Sequence, residues 1–188
     1  MITLKQNDRD KLFEYYGSKL KIYGYDTRSL GWVPGGRSVR FGVMTSIADL
    51  NGSSILDVGC GFGDLYGHLT GRDIKVDYTG VDINPDLIKV AREVYPEARF
   101  FISDFESDGI DGEYDWAFAA GIFTIKITDN RSFIRNTLKR MYEVTRKGFA
   151  VDFLSPTYYS PEEDTYWRCP PEEVLKYCRS LSRRVMLR

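Results

Sequence analysis

The 188 residues predict a doubly wound α/β fold with a mostly parallel sheet, and three observations carry that reading. From Ser54 onward, apolar runs of strand length alternate with segments whose apolar residues recur at helical spacing. A glycine-rich turn, Gly59, Gly61 and Gly63, joins the first run to the first of those helices. A second run, from Asp77 to Val81, ends on a carboxylate, Asp82, nineteen residues past Gly63. Strand–helix alternation of this kind places the strands parallel and the helices on both faces of the sheet.

In chain order, residues 8–22 carry Leu12, Tyr16 and Leu20 at helical spacing, weakened by Gly17. A loop from Gly24 to Arg37 holds Tyr25, Trp32, Pro34, Gly35 and Gly36, and a second helix over 38–50 presents Phe41, Met44 and Ile47 on one face. Six strands are expected, at 54–58, 77–82, 98–103, 114–119, 148–154 and 183–188, with helices at 63–70, 85–95, 129–146 and 171–181 between them. Pro85 suits the first turn of its helix, and Gly148 is expected to stop the helix begun at 129. A loop over 155–170, with Pro156, Pro161, Pro170 and three tyrosines, follows the fifth strand at the sheet end where ligands bind. The chain reads as one domain, a helical prefix over 1–50 ahead of an α/β core over 51–188.

The run Ile55-Leu56-Asp57-Val58-Gly59-Cys60-Gly61-Phe62-Gly63 describes a buried strand, a tight turn and a helix start. Glycine tolerates positive φ and lets a ligand approach the backbone, and the free N–H groups opening the next helix favour polar or anionic ligand atoms. Cys60 reads as a small residue packed inside the turn. Asp82 stands about where a carboxylate meets the two hydroxyls of a ribose in a βαβ unit. The dinucleotide fingerprint requires glycine or alanine at position 64, and the chain has Asp64.

With Asp57 closing the first strand, the G-x-G-x-G turn resembles motif I of the class I, Rossmann-like S-adenosylmethionine-dependent methyltransferases, and the resemblance covers roughly residues 38–188. It implies S-adenosylmethionine as cofactor, S-adenosylhomocysteine (SAH) as product, and a methyl acceptor. Asp82 in Val-Asp-Ile-Asn matches the family's ribose-binding acid, with Ile83 over a face of the adenine ring; Asp104 in Phe-Ile-Ser-Asp-Phe matches the acid that meets the adenine amino group, with the N–H of Phe105 on a ring nitrogen. Ala120 and Ile122, after the fourth strand, should run beside the methionine part. Arg40, in Val-Arg-Phe-Gly-Val-Met, resembles the arginine that holds the cofactor's carboxylate in ubiquinone-pathway O-methyltransferases; the alternative is a surface ion pair. The prefix then becomes a lid over the cofactor, with Tyr16 close by. The family's antiparallel seventh strand is expected to be missing, with residues 183–188 pairing with the fifth strand in its place; the alternatives are a second chain over that edge or the loss of the natural end.

Methyl transfer from a sulfonium is an in-line displacement, so the protein must mainly position the reactants and exclude water. No general base and no catalytic residue stands out; His68, the single histidine, reads as structural. The chain lacks the Pro-Pro-aromatic motif of DNA amine methylation after the fourth strand, and Cys169-Pro170 reverses the order used by RNA cytosine enzymes. A small-molecule acceptor is expected. Two other readings are a nicotinamide-dependent oxidoreductase, which leaves Asp64 and Asp104 unexplained, and a non-catalytic cofactor-binding module. A net charge of −1 gives no global attraction to nucleic acid or membrane, and the first residues carry no apolar leader, so a cytoplasmic monomer or homodimer is expected. Three cysteines without C-x-x-C spacing argue against disulfides and zinc.

Overall fold

The computed structural model describes residues 4–33, 35–156 and 164–188. Pro34, Tyr158, Tyr159 and Pro161 of the two predicted loops lie outside them. Five parallel strands, β1 (Ser54–Val58), β2 (Asp77–Asp82), β3 (Arg99–Ile102), β4 (Tyr114–Ala119) and β5 (Thr145–Val151), form one sheet in the order β3-β2-β1-β4-β5. The order reverses between β1 and β4, so the carboxyl ends of these two strands open a crevice. Pairing of Ile55 with Tyr78 and of Ile55 with Trp116 fixes β1 at the centre.

Successive strand residues face opposite sides, and β1 shows the consequence. Ile55 packs with Met44, Leu65, Leu69, Ile88 and Phe118 on one face, whereas Leu56 packs with Val81, Ala117 and Met141 on the other. Helices α3 (Asp64–Thr70) and α4 (Pro85–Val94) supply the first layer. Helix α5 (Asn130–Glu143) supplies Met141 to the second. Helix α6 (Pro171–Leu181) packs against α5 through Val174, Tyr177 and Leu181 around Leu138. The start of α4 is set by Pro85 at its first turn and by Asn84, whose Oδ1 accepts from the N–H groups of Asp86 and Leu87. Asp129 caps α5 in the same way through Ser132 N–H.

The prefix forms two helices, α1 (Gln6–Tyr23) and α2 (Gly36–Thr45), with a short 3-10 turn at Thr27–Leu30 between them. Phe41 and Met44 of α2 are buried in the first core layer. Helix α1 is polar over most of its surface and is joined to the core by side chains: Asp8 Oδ1 accepts from the N–H and hydroxyl of Thr128, and the Tyr15 and Tyr166 hydroxyls lie 3.0 Å apart.

Two expectations are corrected. Helix α5 ends at Glu143, not at Gly148; Thr145 starts β5 because Tyr114 of β4 pairs with it, and Gly148 lies inside that strand under the Trp116 ring. Residues 183–188 form no strand, and the sheet has five strands where six were expected. Three arginines in six residues suit poorly a strand covered on both faces. Met186 and Leu187 stay exposed, and the Arg188 guanidinium donates to Ser46 just past α2, away from β5.

Candidate functional site

A cavity lies over the carboxyl ends of the strands and under the prefix, its empty space about 1100 Å³ with open solvent included. Its floor is the turn after β1. Gly59, Gly61 and Gly63 have φ of 69°, 55° and 78°, a region closed to most side chains. A Cβ on Gly59 would collide with Ile122, and one on Gly61 would stand 3.1 Å from Leu30, both lining residues. Gly63 differs: its Cβ would press on the Phe100 and Tyr95 rings of the core, so its role is packing. Cys60 is buried against Gly80, and burial pushes its thiol well above the ordinary range.

Four amides of this turn donate within the protein. Gly59 and Cys60 N–H both donate to Val81 O at 2.8 and 3.0 Å, Gly61 N–H donates to Asp82 Oδ2 at 2.9 Å, and Gly63 N–H donates to Cys60 O. Asp82 Oδ1 also accepts from Asn84 N–H at 2.8 Å, so backbone groups orient both carboxylate oxygens. Burial raises its pKa, offset by these N–H donors. Asp57 is 3% exposed and accepts from the Tyr78 hydroxyl at 2.5 Å. Burial lifts its carboxyl to about 7 against that hydrogen bond, with Asp82 and Asp64 adding to the rise.

On the β3 side, Asp104 is held on one oxygen by Ser107 Oγ and the Arg9 guanidinium of α1, and on the other by Glu106 N–H. Beside it Glu106 is buried, its carboxyl raised to about 7 by burial and then by Asp104. On the β4 side, Ala120, Gly121 and Ile122 line the cavity. Asp152, just past β5, accepts from Gly121 N–H at 2.7 Å and from Arg40 Nη1 at 2.9 Å. The prefix closes the top with Leu4, Leu12, Phe13, Tyr16, Leu30 and Trp32. Tyr16 is bonded to Thr124; its phenol is raised by burial first and then by Tyr15 and Asp82.

Of the residues singled out from the sequence, Tyr16, Asp57, Gly59, Cys60, Gly61, Asp82, Ile83, Asp104, Phe105, Ala120 and Ile122 come together around this one cavity. Gly63 and Arg40 do not line it. Arg40 spans Asp152 and the face of Trp32, 4.8 Å from the ring centroid, and so braces the wall from behind. His68 is outside the lining as well, edge-on to Phe41 with its pKa lowered by burial and by Arg72 and Arg37. Sequence reasoning missed Glu106, Phe133 and Thr137 as lining residues, and it weighed Asp64 only as a missing glycine. Two charged residues next to motif positions, 64 and 106, were the available signal.

Among the described lining residues there are five carboxylates, Asp57, Asp64, Asp82, Asp104 and Glu106, and no lysine, arginine or histidine. Such a cavity favours a cationic or hydroxyl-rich ligand over a polyanion. No helix among the described residues is long and apolar enough to cross a membrane.

Comparison with known proteins converges on one family. A family model described as a methyltransferase domain matches residues 55–148. The chain is 34% identical over 125 residues to the "Putative methyltransferase Rv1506c" of Mycobacterium tuberculosis, spanning 62% of this chain and 74% of that protein. Among solved structures, the [4+2]-cyclase SpnF superposes with a TM-score of 0.68 at 16% identity over 96% of this chain and 74% of its own. The magnesium protoporphyrin IX methyltransferase of Synechocystis PCC 6803, with bound SAH, superposes with a TM-score of 0.66 at 15% identity over 94% of this chain and 89% of its own. At such identities these two likenesses speak for the fold alone. With the domain match over half the chain and the motif residues gathered at one crevice, the chain belongs to the Rossmann-like, S-adenosylmethionine-dependent methyltransferase family.

Proposed function

We propose that the chain transfers a methyl group from S-adenosylmethionine to a small-molecule acceptor, and the observation that carries this is that the charged residues lining the cavity are all acidic. The donor carries a sulfonium and an α-ammonium, both attracted by carboxylates such as Asp64, Asp82 and Asp104. A nicotinamide dinucleotide would bring its pyrophosphate to the turn after β1, where the amides of Gly59, Cys60 and Gly61 are already engaged.

In this reading Asp82 accepts from the ribose hydroxyls with the lone pairs that Gly61 and Asn84 leave open. Ile83 covers a face of the adenine, and Asp104 accepts from its amino group, sharing or displacing Arg9. Ala120 and Ile122 flank the methionine chain. The acceptor side is apolar, with Leu12, Phe13, Trp32 and Phe133, which suits a flat or aliphatic small molecule better than a nucleic acid strand. The prefix shields the reacting atoms from water, and Tyr16 is the polar group positioned to orient an acceptor.

The test is incubation with methyl-labelled donor and a fractionated cell extract, comparing the parent with Asp82→Ala. Label should enter a small-molecule fraction with the parent and fall at least fivefold with the variant at subsaturating donor, since two ribose hydroxyls lose their acceptor, worth roughly 1–3 kcal/mol. Label in nucleic acid or protein, or none in any fraction from a parent that binds the donor, contradicts the acceptor or the transferase reading respectively.

A further inference from the structure

Glu106, in the loop after β3, and Thr137, on α5, both line the cavity, and the donor reading uses neither. They are 7% and 1% exposed, and Glu106 Oε1 and Thr137 Oγ1 are each buried without a hydrogen-bond partner among the described residues. An open carboxylate oxygen and an unpaired hydroxyl are costly to bury, and in a native fold they call for a ligand group that donates to both. Burial and then Asp104 raise the Glu106 carboxyl to about 7, and Thr137, Arg140 and Asn136 offset that rise only in part. Arg140 itself does not line the cavity; its Nη1 donates to the Glu106 carbonyl oxygen at 2.9 Å. The neighbouring wall is apolar: Phe133, one turn before Thr137, meets Leu4 there, and both also line a small adjoining cleft.

We propose that Glu106 and Thr137 form an anchoring site for a primary ammonium carried on an apolar methyl acceptor, the ammonium donating to Oε1 and Oγ1. The inference rests on the donor reading given above and deepens it by naming the acceptor class, a cationic amine with an apolar body. In that reading the adenine meets Asp104 and the methionine chain runs along Ala120 and Ile122 on the β4 side, so the donor's own ammonium is directed away from Glu106. Charge selects the ligand. A neutral hydroxyl would leave an ionised Glu106 uncompensated, and a carboxylate or phosphate would meet described lining residues that include no lysine, arginine or histidine. An arriving ammonium favours the ionised carboxylate. The nitrogen held here is protonated and has no lone pair, so it is the handle of the acceptor and not the atom that receives the methyl group.

The test titrates the SAH-saturated chain with 2-phenylethylamine and with 2-phenylethanol, alike in shape and different in charge, followed by ligand-observed NMR. The parent should bind the amine at least about fivefold more tightly than the alcohol, and Glu106→Gln should bring the two within about twofold. Thr137→Val, which removes the second partner, should weaken the amine about threefold. SAH affinity, measured on each variant, reports that it is folded. No preference for the amine in the parent, binding of neither probe included, overturns the inference, as does a preference that survives in Glu106→Gln. An amine that binds the free chain and is displaced by SAH also overturns it, since the site then belongs to the donor. Failure of the parent to bind SAH overturns the donor reading itself and removes the inference with it, a result read before any amine is added.

Discussion

The two sides of the cavity are built by different means. On the sheet side, Asp82 is oriented by the N–H groups of Gly61 and Asn84, and the turn amides close on Val81 O, so geometry there follows from the backbone path. On the prefix side, the contacts are side chain to side chain. Arg9 reaches Asp104, Arg37 reaches Asp64 and Arg40 reaches Asp152, three arginines from one segment meeting three carboxylates of the α/β core. Backbone hydrogen bonds give a side that persists through local fluctuation, whereas partly exposed ion pairs give a side that opens at lower cost and responds to salt. A preformed nucleoside site under a detachable cover is what this division supplies to a reaction that must admit a donor and then exclude water.

The largest effect that tests the contrast belongs to the sheet side. Burial holds the Asp57 carboxyl at about 7, well above the ordinary carboxylate value of 3.8. Between about pH 4 and 7 the folded chain therefore keeps a proton that the unfolded chain has released. Stability from this group is present at low pH and is lost as pH rises through that window, with a slope of about 1.4 kcal/mol per pH unit for one proton. Glu106, raised to about 7 by burial and then by Asp104, adds a slope of the same sign. Asp57→Asn should flatten the denaturation midpoint against pH by about one proton's worth. A slope identical to that of the parent would mean that Asp57 is ionised in the folded chain.

A smaller effect belongs to the prefix. Arg9 is 28% exposed and Asp104 only 3%, so Arg9→Ala leaves a nearly buried carboxylate short of its cation. A double-mutant cycle with Asp104→Asn should give a coupling of about 1–2 kcal/mol, reduced from the fully buried case because Arg9 is partly solvated. Added salt should shrink it. The exposed Arg28–Asp26 pair of the same prefix is the control, with a smaller expected coupling because solvent screens it. Equal couplings for the two pairs would remove the argument that Arg9 closes the site.

The same contrast explains what was legible in the sequence. Strands β1, β2 and β4 were readable because each is an apolar run of strand length closed by a carboxylate or small residues; positions 57 and 82 followed from where β1 and β2 end, and position 104 from where β3 ends. The direction of the turn amides was not readable, since whether Gly59 N–H meets a ligand or Val81 O depends on the approach of β2, twenty-two residues away. Gly63 misled in a related way: its positive φ is visible only as glycine, and the ring it accommodates, Phe100, comes from β3. The arginine pairs span 27, 95 and 112 residues of sequence, and no local pattern distinguishes such an arginine from a solvated one. At residues 183–188 an apolar triplet suggested a strand, but pairing needs a covered edge that the flanking arginines do not favour.

The central claim, a methyl-donor site between a backbone-built sheet side and a side-chain-built cover, is tested most directly by calorimetric titration of the parent chain with SAH and, separately, with NADH. The account predicts saturable one-to-one binding of SAH, weakened by roughly 1–3 kcal/mol in Asp82→Ala, and no measurable heat with NADH. Binding of NADH at equal or greater strength, or SAH binding that is unchanged in Asp82→Ala, would contradict it.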